Sequence, residues 1–235
     1  MSEPSEGATR PKKLDPAAFI QANMRLQPVP SLPEIRLYLA HPGSGLRRLL
    51  EQEDDGPDDS RLEPQPPYWA YAWAGGAVLA RYVLDYPHSV AGRRVLDLGA
   101  GSGLVGIAAA KAGAGAVIAA EIDRNGAAAI GLNAEANGVE ITVIADDITT
   151  GQPLAVDLVL AGDVFYSISV ARRVIPFLDR CLAAGIDVLV GDPRRADLPL
   201  PRLRLVAEYE VPDFGDAKGA VAGPSGVFAF GVKEG

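Results

Sequence analysis

The stretch Val95–Gly106, VLDLGAGSGLVG, places four glycines behind an apolar run interrupted by a single carboxylate, Asp97. Within it, Gly101-Ser102-Gly103-Leu104-Val105-Gly106 satisfies G-x-G-x-x-G, a spacing that lets a strand-to-helix turn bring bare backbone against a ligand. Glu121 closes the next apolar run, where a ribose-binding acid belongs. One chemistry that fits is a nicotinamide or flavin dinucleotide with its pyrophosphate on the helix N-terminus, in an oxidoreductase or a noncatalytic nucleotide sensor. Asp97 argues for another, because a carboxylate beside the loop repels a pyrophosphate and suits a ligand carrying positive charge. Tight strand–helix packing without any ligand is the third possibility.

Acids recur at successive strand ends. Glu121 can accept from both ribose hydroxyls, with Ile122 against an adenine, unless it is simply a solvated strand-end acid. Asp146 or Asp147 follows the third run, where a carboxylate can accept from the adenine amino group. The fourth run ends in Gly162-Asp163-Val164-Phe165-Tyr166. Ligands of an open α/β sheet bind outside the carboxyl ends of its strands, so these acids converge on one crevice.

The elements that must position them are short and alternating. RVLDLG, AVIAAEI, ITVIAD, VDLVLAGD and IDVLVGD are β-branched-rich runs, and Leu104–Lys111 and Arg124–Asn137 between them have helical spacing. AGGAVLARYVLDY before them is also helical by pattern. RLRLVAEYEV and GVFAFGV have no helix between them and predict a closing hairpin. The sum is an α/β fold with a parallel sheet covered on both faces.

Upstream, Asp15 and Pro16 predict the start of a short helix, whereas Ile35, Leu37 and Leu39 alternate with polar partners and predict a strand despite the nominal Ser31/Glu34 capping box. SGLRRLLEQ looks helical, EDDGPDDS reads as a solvated acidic loop, and polar Met1–Lys13 as disordered. We divide the chain into an N-terminal extension, 1–60, and a ligand-binding domain, 61–235.

The chain of 235 residues carries 22 Lys+Arg against 30 Asp+Glu, a net charge of −8 that disfavours nucleic acid and favours a cationic partner. No apolar run approaches the ~20 residues of a membrane span, and no secretory core precedes the fold, so a cytoplasmic location without membrane attachment is expected. One cysteine and two histidines offer no zinc-ligand spacing, and no metal is expected.

Asp97-Leu98-Gly99-Ala100-Gly101-Ser102-Gly103 resembles the first motif of class I S-adenosylmethionine-dependent methyltransferases, an acid, an apolar residue and G-x-G-x-G. That cofactor carries both an ammonium and a sulfonium. Asp163 followed by Tyr166 is similar to the seven-strand protein-lysine methyltransferases. PEIRLYLAHP, PYWAYAWAGGAVLARYVLD and VLVGDPRR narrow the resemblance to the electron transfer flavoprotein β-subunit lysine methyltransferases, over most of the chain from Pro33. Ala74 departs from the proline expected before the two glycines, and the C-terminal GPSGVFAFGV matches weakly.

The resemblance implies a Rossmann-like, mostly parallel seven-stranded sheet with one antiparallel strand. It implies S-adenosylmethionine as methyl donor, S-adenosylhomocysteine as product, and lysine of the electron transfer flavoprotein β subunit as acceptor. Another protein, such as a ribosomal protein, or a small amine remains an alternative acceptor. Asp97, Gly99, Gly101, Gly103, Glu121, Ile122, Asp146, Asp147 and Gly162 would bind the cofactor, with Trp73 packing on it unless it is a core residue. Asp163 would position the amine, and Tyr166 would bond it or wall its channel. Asp192 and Arg194 lie either at the substrate mouth or in a structural ion pair. Tyr68, Trp69 and Cys181 read as core, and His88 as surface.

Overall fold

The computed structural model describes residues 14–49, 66–212 and 223–231. Met1–Lys13 and the acidic run at 53–60 lie outside the described residues, and of SGLRRLLEQ only residues 44–49, with a helical turn at 47–49, fall inside them.

The chain opens with α1 (Pro16–Asn23), whose N-cap Asp15 accepts from the Ala17 amide and whose first position is Pro16. The strands β1 (Arg25–Val29) and β2 (Leu32–Leu39) then pair as an antiparallel hairpin. Ile35, Leu37 and Leu39 are buried, as the alternation predicts. The helix α2 (Ala74–Asp85) leads into β3 (Arg94–Leu98), α3 (Leu104–Lys111), β4 (Ala116–Ala120), α4 (Arg124–Ala136), β5 (Thr142–Ile144), β6 (Leu158–Gly162), α5 (Ile168–Ala183) and β7 (Asp187–Asp192). β8 (Leu203–Val211) and β9 (Gly223–Phe230) complete it.

The main sheet has seven strands in the order β5-β4-β3-β6-β7-β9-β8. β3 to β7 run parallel, and β9 lies antiparallel between β7 and β8, so the expected closing hairpin exists with its second strand in the interior. The order reverses between β3 and β4 on one side and β6 on the other, which opens a crevice above their carboxyl ends.

Strand alternation assigns the faces. Val95, Leu158 and Leu160 pack with α2, α3 and the N-terminal hairpin, whereas Leu96, Val159, Ala161 and Val188 pack with α5, including Phe177 and Cys181. Asp97 shares the parity of Val95 and therefore points toward α3.

Asn133 in α4 and Asn137 at its C-cap fasten the hairpin. Asn137 accepts from the Arg36 amide at 3.0 Å and donates to the Arg36 carbonyl at 2.6 Å. Asn133 accepts from the Tyr38 amide at 2.8 Å and donates to the Ser102 carbonyl at 2.8 Å, joining the hairpin to the glycine loop through a fully buried side chain. Asn133→Ala leaves both backbone groups without this partner and should lower urea-measured stability by about 1–3 kcal/mol. Asn137→Ala, in a more exposed position, should cost clearly less; equal losses would mean that the buried link is not special.

Candidate active site

The crevice holds a cavity of about 450 Å³, within the range of small-molecule sites. Its wall includes Trp73, Asp97, Gly99, Gly101, Glu121, Ile122, Asp146, Asp147, Gly162, Asp163 and Tyr166. Asp192 and Arg194, considered for the substrate mouth, stand outside the wall. Of the cofactor and acceptor residues that the resemblance implies, Gly103 alone does so. It adopts φ 80° as the N-cap of α3, and a Cβ there would lie 3.2 Å from Ile130. Its bareness serves the turn and helix packing.

Asp97 is 1% exposed, and its carboxylate accepts from the Gly106 amide in the first turn of α3 at 2.7 Å. Gly106 permits this, since a Cβ would lie 3.1 Å from that oxygen and 3.2 Å from Val117. Burial pushes the Asp97 carboxyl up to about 7 against the opposing Gly106 bond, with help from the charge of Glu121. Glu121 accepts from the amides of Gly101 at 2.7 Å and Asp123 at 2.9 Å, bracing the loop. It too is raised, chiefly by burial, as is Asp123, which caps α4 through the Asn125 amide. Three carboxylates thus crowd one end of the cavity.

At the adenine end expected from the sequence, Asp147 accepts from the Thr149 amide and hydroxyl and pairs with Arg173 at 3.2 Å. Asp146 accepts from the Asp147 amide at 2.7 Å. Both line the cavity, and Asp147 is the more internally engaged.

Asp163 follows β6 with φ 57°, a left-handed conformation that an aspartate adopts only when its surroundings fix it. One carboxylate oxygen accepts from the amides of Gly75 and Gly76 at the start of α2, and the other from Arg195 Nε at 2.6 Å. Arg195 is the member of the site that the sequence reading passes over in favour of Arg194. Arg194 pairs instead with Glu208, and Asp192 accepts from the Arg195 amide, so no Asp192–Arg194 ion pair exists. Asp192 is fully buried, and burial raises it to about 6. The second arginine of GDPRR was the available signal.

Tyr68 also departs from its core assignment. It is 37% exposed at the cavity rim, next to Trp73 and Tyr166, whereas Trp69 and Cys181 are buried as expected. Residues 68–70 form a single 3-10 turn after Pro67, with Trp69 packed into the core beside Phe19 and Ala129 while Tyr68 stays at the surface.

A sequence profile of a family described as lysine methyltransferase matches residues 70–199. An electron transfer flavoprotein beta subunit lysine methyltransferase of Rattus norvegicus is 35% identical over 203 residues, covering 83% of this chain and 76% of that one. Its Danio rerio counterpart is 39% identical over 153 residues, 63% of this chain, and the match spans only 59% of the fish protein's length. Among solved structures, a candidate RNA methyltransferase of Pyrococcus horikoshii superposes with a TM-score of 0.54 at 17% identity, covering 73% of this chain and 91% of that one, a likeness of fold.

The raised Asp97 has a consequence for stability. Unfolded, this carboxyl titrates near ~3.9, so between about pH 4 and 7 the folded state holds a proton that the unfolded chain has released. Stability from the neutral carboxyl is therefore lost as pH rises through that window. Asp97→Asn keeps an acceptor for Gly106 and removes the titration. Its melting temperature should gain on wild type from pH 5 to 7.5 and then run parallel; parallel curves throughout would show that Asp97 is ionised over the whole range.

Proposed function

Because the chain belongs to the lysine methyltransferase family, we propose that it transfers methyl groups from S-adenosylmethionine to a lysine ε-nitrogen of the electron transfer flavoprotein β subunit, repeatedly on the same nitrogen. The observation that carries the cofactor is electrostatic. Six carboxylates and two guanidiniums line the cavity, and both guanidiniums already pair with acids, Arg173 with Asp147 and Arg195 with Asp163. A ligand with an ammonium and a sulfonium relieves that repulsion, and a pyrophosphate aggravates it. The names of the relatives support the acceptor, and an acidic enzyme suits a lysine-bearing surface.

The residues fit the group. Gly99 and Gly101 leave the loop bare, and Asp97 stands beneath it; Glu121, Ile122 and the Asp146–Asp147 pair would hold ribose and adenine. When bound, S-adenosylmethionine supplies an electrophilic methyl group on sulfur. The protein must present a neutral amine to it, and lysine arrives protonated, with a reference pKa near ~10.4. Asp163 stabilises the ammonium and so raises that pKa, which suits it to orienting the nitrogen and not to acting as a strong base. Solvent takes the proton. Arg195 fixes the carboxylate of Asp163 from one side and the start of α2 from the other. Burial holds the Tyr166 phenol above its ordinary value, so it remains a protonated wall and hydrogen-bonding group at neutral pH. Alignment of this kind can supply roughly 7–11 kcal/mol.

The test is intact-mass analysis of purified electron transfer flavoprotein after incubation with enzyme and S-adenosylmethionine. Successive additions of the mass of one CH₂ group are expected on the β subunit. No addition there, with label entering another protein of a lysate, would reassign the acceptor. Asp163→Asn retains an oxygen for the amides of α2 but not the charge, and should lower turnover about 10- to 100-fold with cofactor affinity little changed. Wild-type turnover would remove Asp163 from the acceptor site.

A further inference from the structure

The rim above Asp163 is aromatic. The Tyr68 and Trp73 rings meet edge to face, with centroids 5.5 Å apart and planes at 72°; Tyr68 and Tyr166 lie 5.2 Å apart at 49°. Trp73 is locked in place, its Nε1 donating to the Tyr68 carbonyl at 2.7 Å. Tyr68 and Tyr166 remain 37% and 40% exposed. The rings do not stack face on face, and all three residues line the same cavity. One cation already meets a ring here: the Arg195 guanidinium lies 5.9 Å from the centre of the Trp73 ring.

We propose that Tyr68, Trp73 and Tyr166 form a cage for the methylated ammonium of the acceptor, and that by keeping it bound between transfers they set how many methyl groups one lysine receives. This rests on the lysine-methylation reading. A lysine ammonium has three N–H donors for Asp163. Each transfer forms one N–C bond and breaks one S–C bond; the methylated ammonium must then give a proton to solvent before the next transfer, and after the third no N–H remains. A carboxylate therefore loses one possible donor at every round, with none left after the third. The ring faces do not, because their attraction is for the cation and improves as methyl groups displace its water. Asp163 suits the first methyl, and the cage suits the later ones.

Two measurements test this. Tetramethylammonium chloride, a cation without donors, is titrated into the S-adenosylhomocysteine-loaded protein and followed by indole emission, with sodium chloride as control. A saturable change specific to tetramethylammonium is expected, and Tyr68→Leu should weaken it about 2- to 30-fold, the range a single cation–π contact spans. In the second, electron transfer flavoprotein in excess is methylated to a fixed total. Wild type should yield di- and trimethyl product while unmodified substrate remains; Tyr68→Leu should accumulate monomethyl product, and Tyr68→Phe, which keeps the ring, should restore the wild-type pattern. A wild-type titration indistinguishable from sodium chloride overturns the cage, even if the leucine variant does not fold. So does an unchanged product distribution in a folded Tyr68→Leu. Tetramethylammonium binding without any methylation of electron transfer flavoprotein supports the cage and rejects only the acceptor.

Discussion

The carboxylate of Asp163 bonded to the first amides of α2 is the contact on which the site depends. A helix N-terminus offers unpaired N–H groups and a positive dipole end, and a buried anion is the natural complement. The approach is possible only because three backbone positions, Gly75, Gly162 and Gly191, are bare. A Cβ on Gly75 would lie 2.4 Å from the Gly191 carbonyl, and one on Gly162 would lie 2.8 Å from the Gly76 Cα. Helix and strand ends therefore meet backbone to backbone. Arg195 then closes the network from the end of β7, and the aromatic segment that precedes α2 is carried to the rim.

The same device recurs at two other strand ends. Asp97 is matched by Gly106 in α3, and Glu121 by Gly126 in α4, where a Cβ would stand 2.8 Å from the Glu121 side chain. Each acid ends or nearly ends a strand, and each faces a glycine in the first turns of a helix. Asp97 and Asp163 accept from helix amides and Glu121 from amides in the turns just before α3 and α4, so the charge is tolerated without ligand, while Asp97, Glu121 and the N-cap Asp123 stay raised by burial. A site so arranged is folded but electrostatically unfinished. Positive charge on an incoming molecule completes it.

Much of this was legible in the residues, because strands alternate with period two and acids at strand ends are conspicuous. The parallel sheet, its closing hairpin, and the gathering of Asp97, Glu121, Asp146 and Asp163 in one crevice follow from such local signals, whereas the count of seven strands and the single antiparallel strand came with the family resemblance. What escaped depends on long-range placement. Nothing local distinguishes Arg194 from Arg195; the left-handed backbone at Arg194, φ 69°, turns one toward β8 and the other toward Asp163. Tyr68 resembles any aromatic in an apolar stretch until the 3-10 turn exposes it beside a tyrosine nearly a hundred positions later. Gly103 matches the motif, yet its neighbour is Ile130 and not the cavity.

The interior position of β9 has a bearing on how the chain is made. Ribosomes release strands in order, so β7 and β8 emerge before the strand that must lie between them. Until residues 223–230 appear, β7 presents a row of unpaired backbone groups beside a largely apolar strand, with the attendant risk of pairing with another chain. β8 meanwhile has no partner in the sheet to hold it, because its ladder is to β9 alone. At roughly 5–20 residues per second the interval is a second or a few, long compared with hairpin closure. A nascent chain stalled within β8, or shortened by a premature stop there, would thus carry a formed ligand crevice beside an open, adhesive edge, a species for chaperones and proteases to recognise before any catalytic defect is felt.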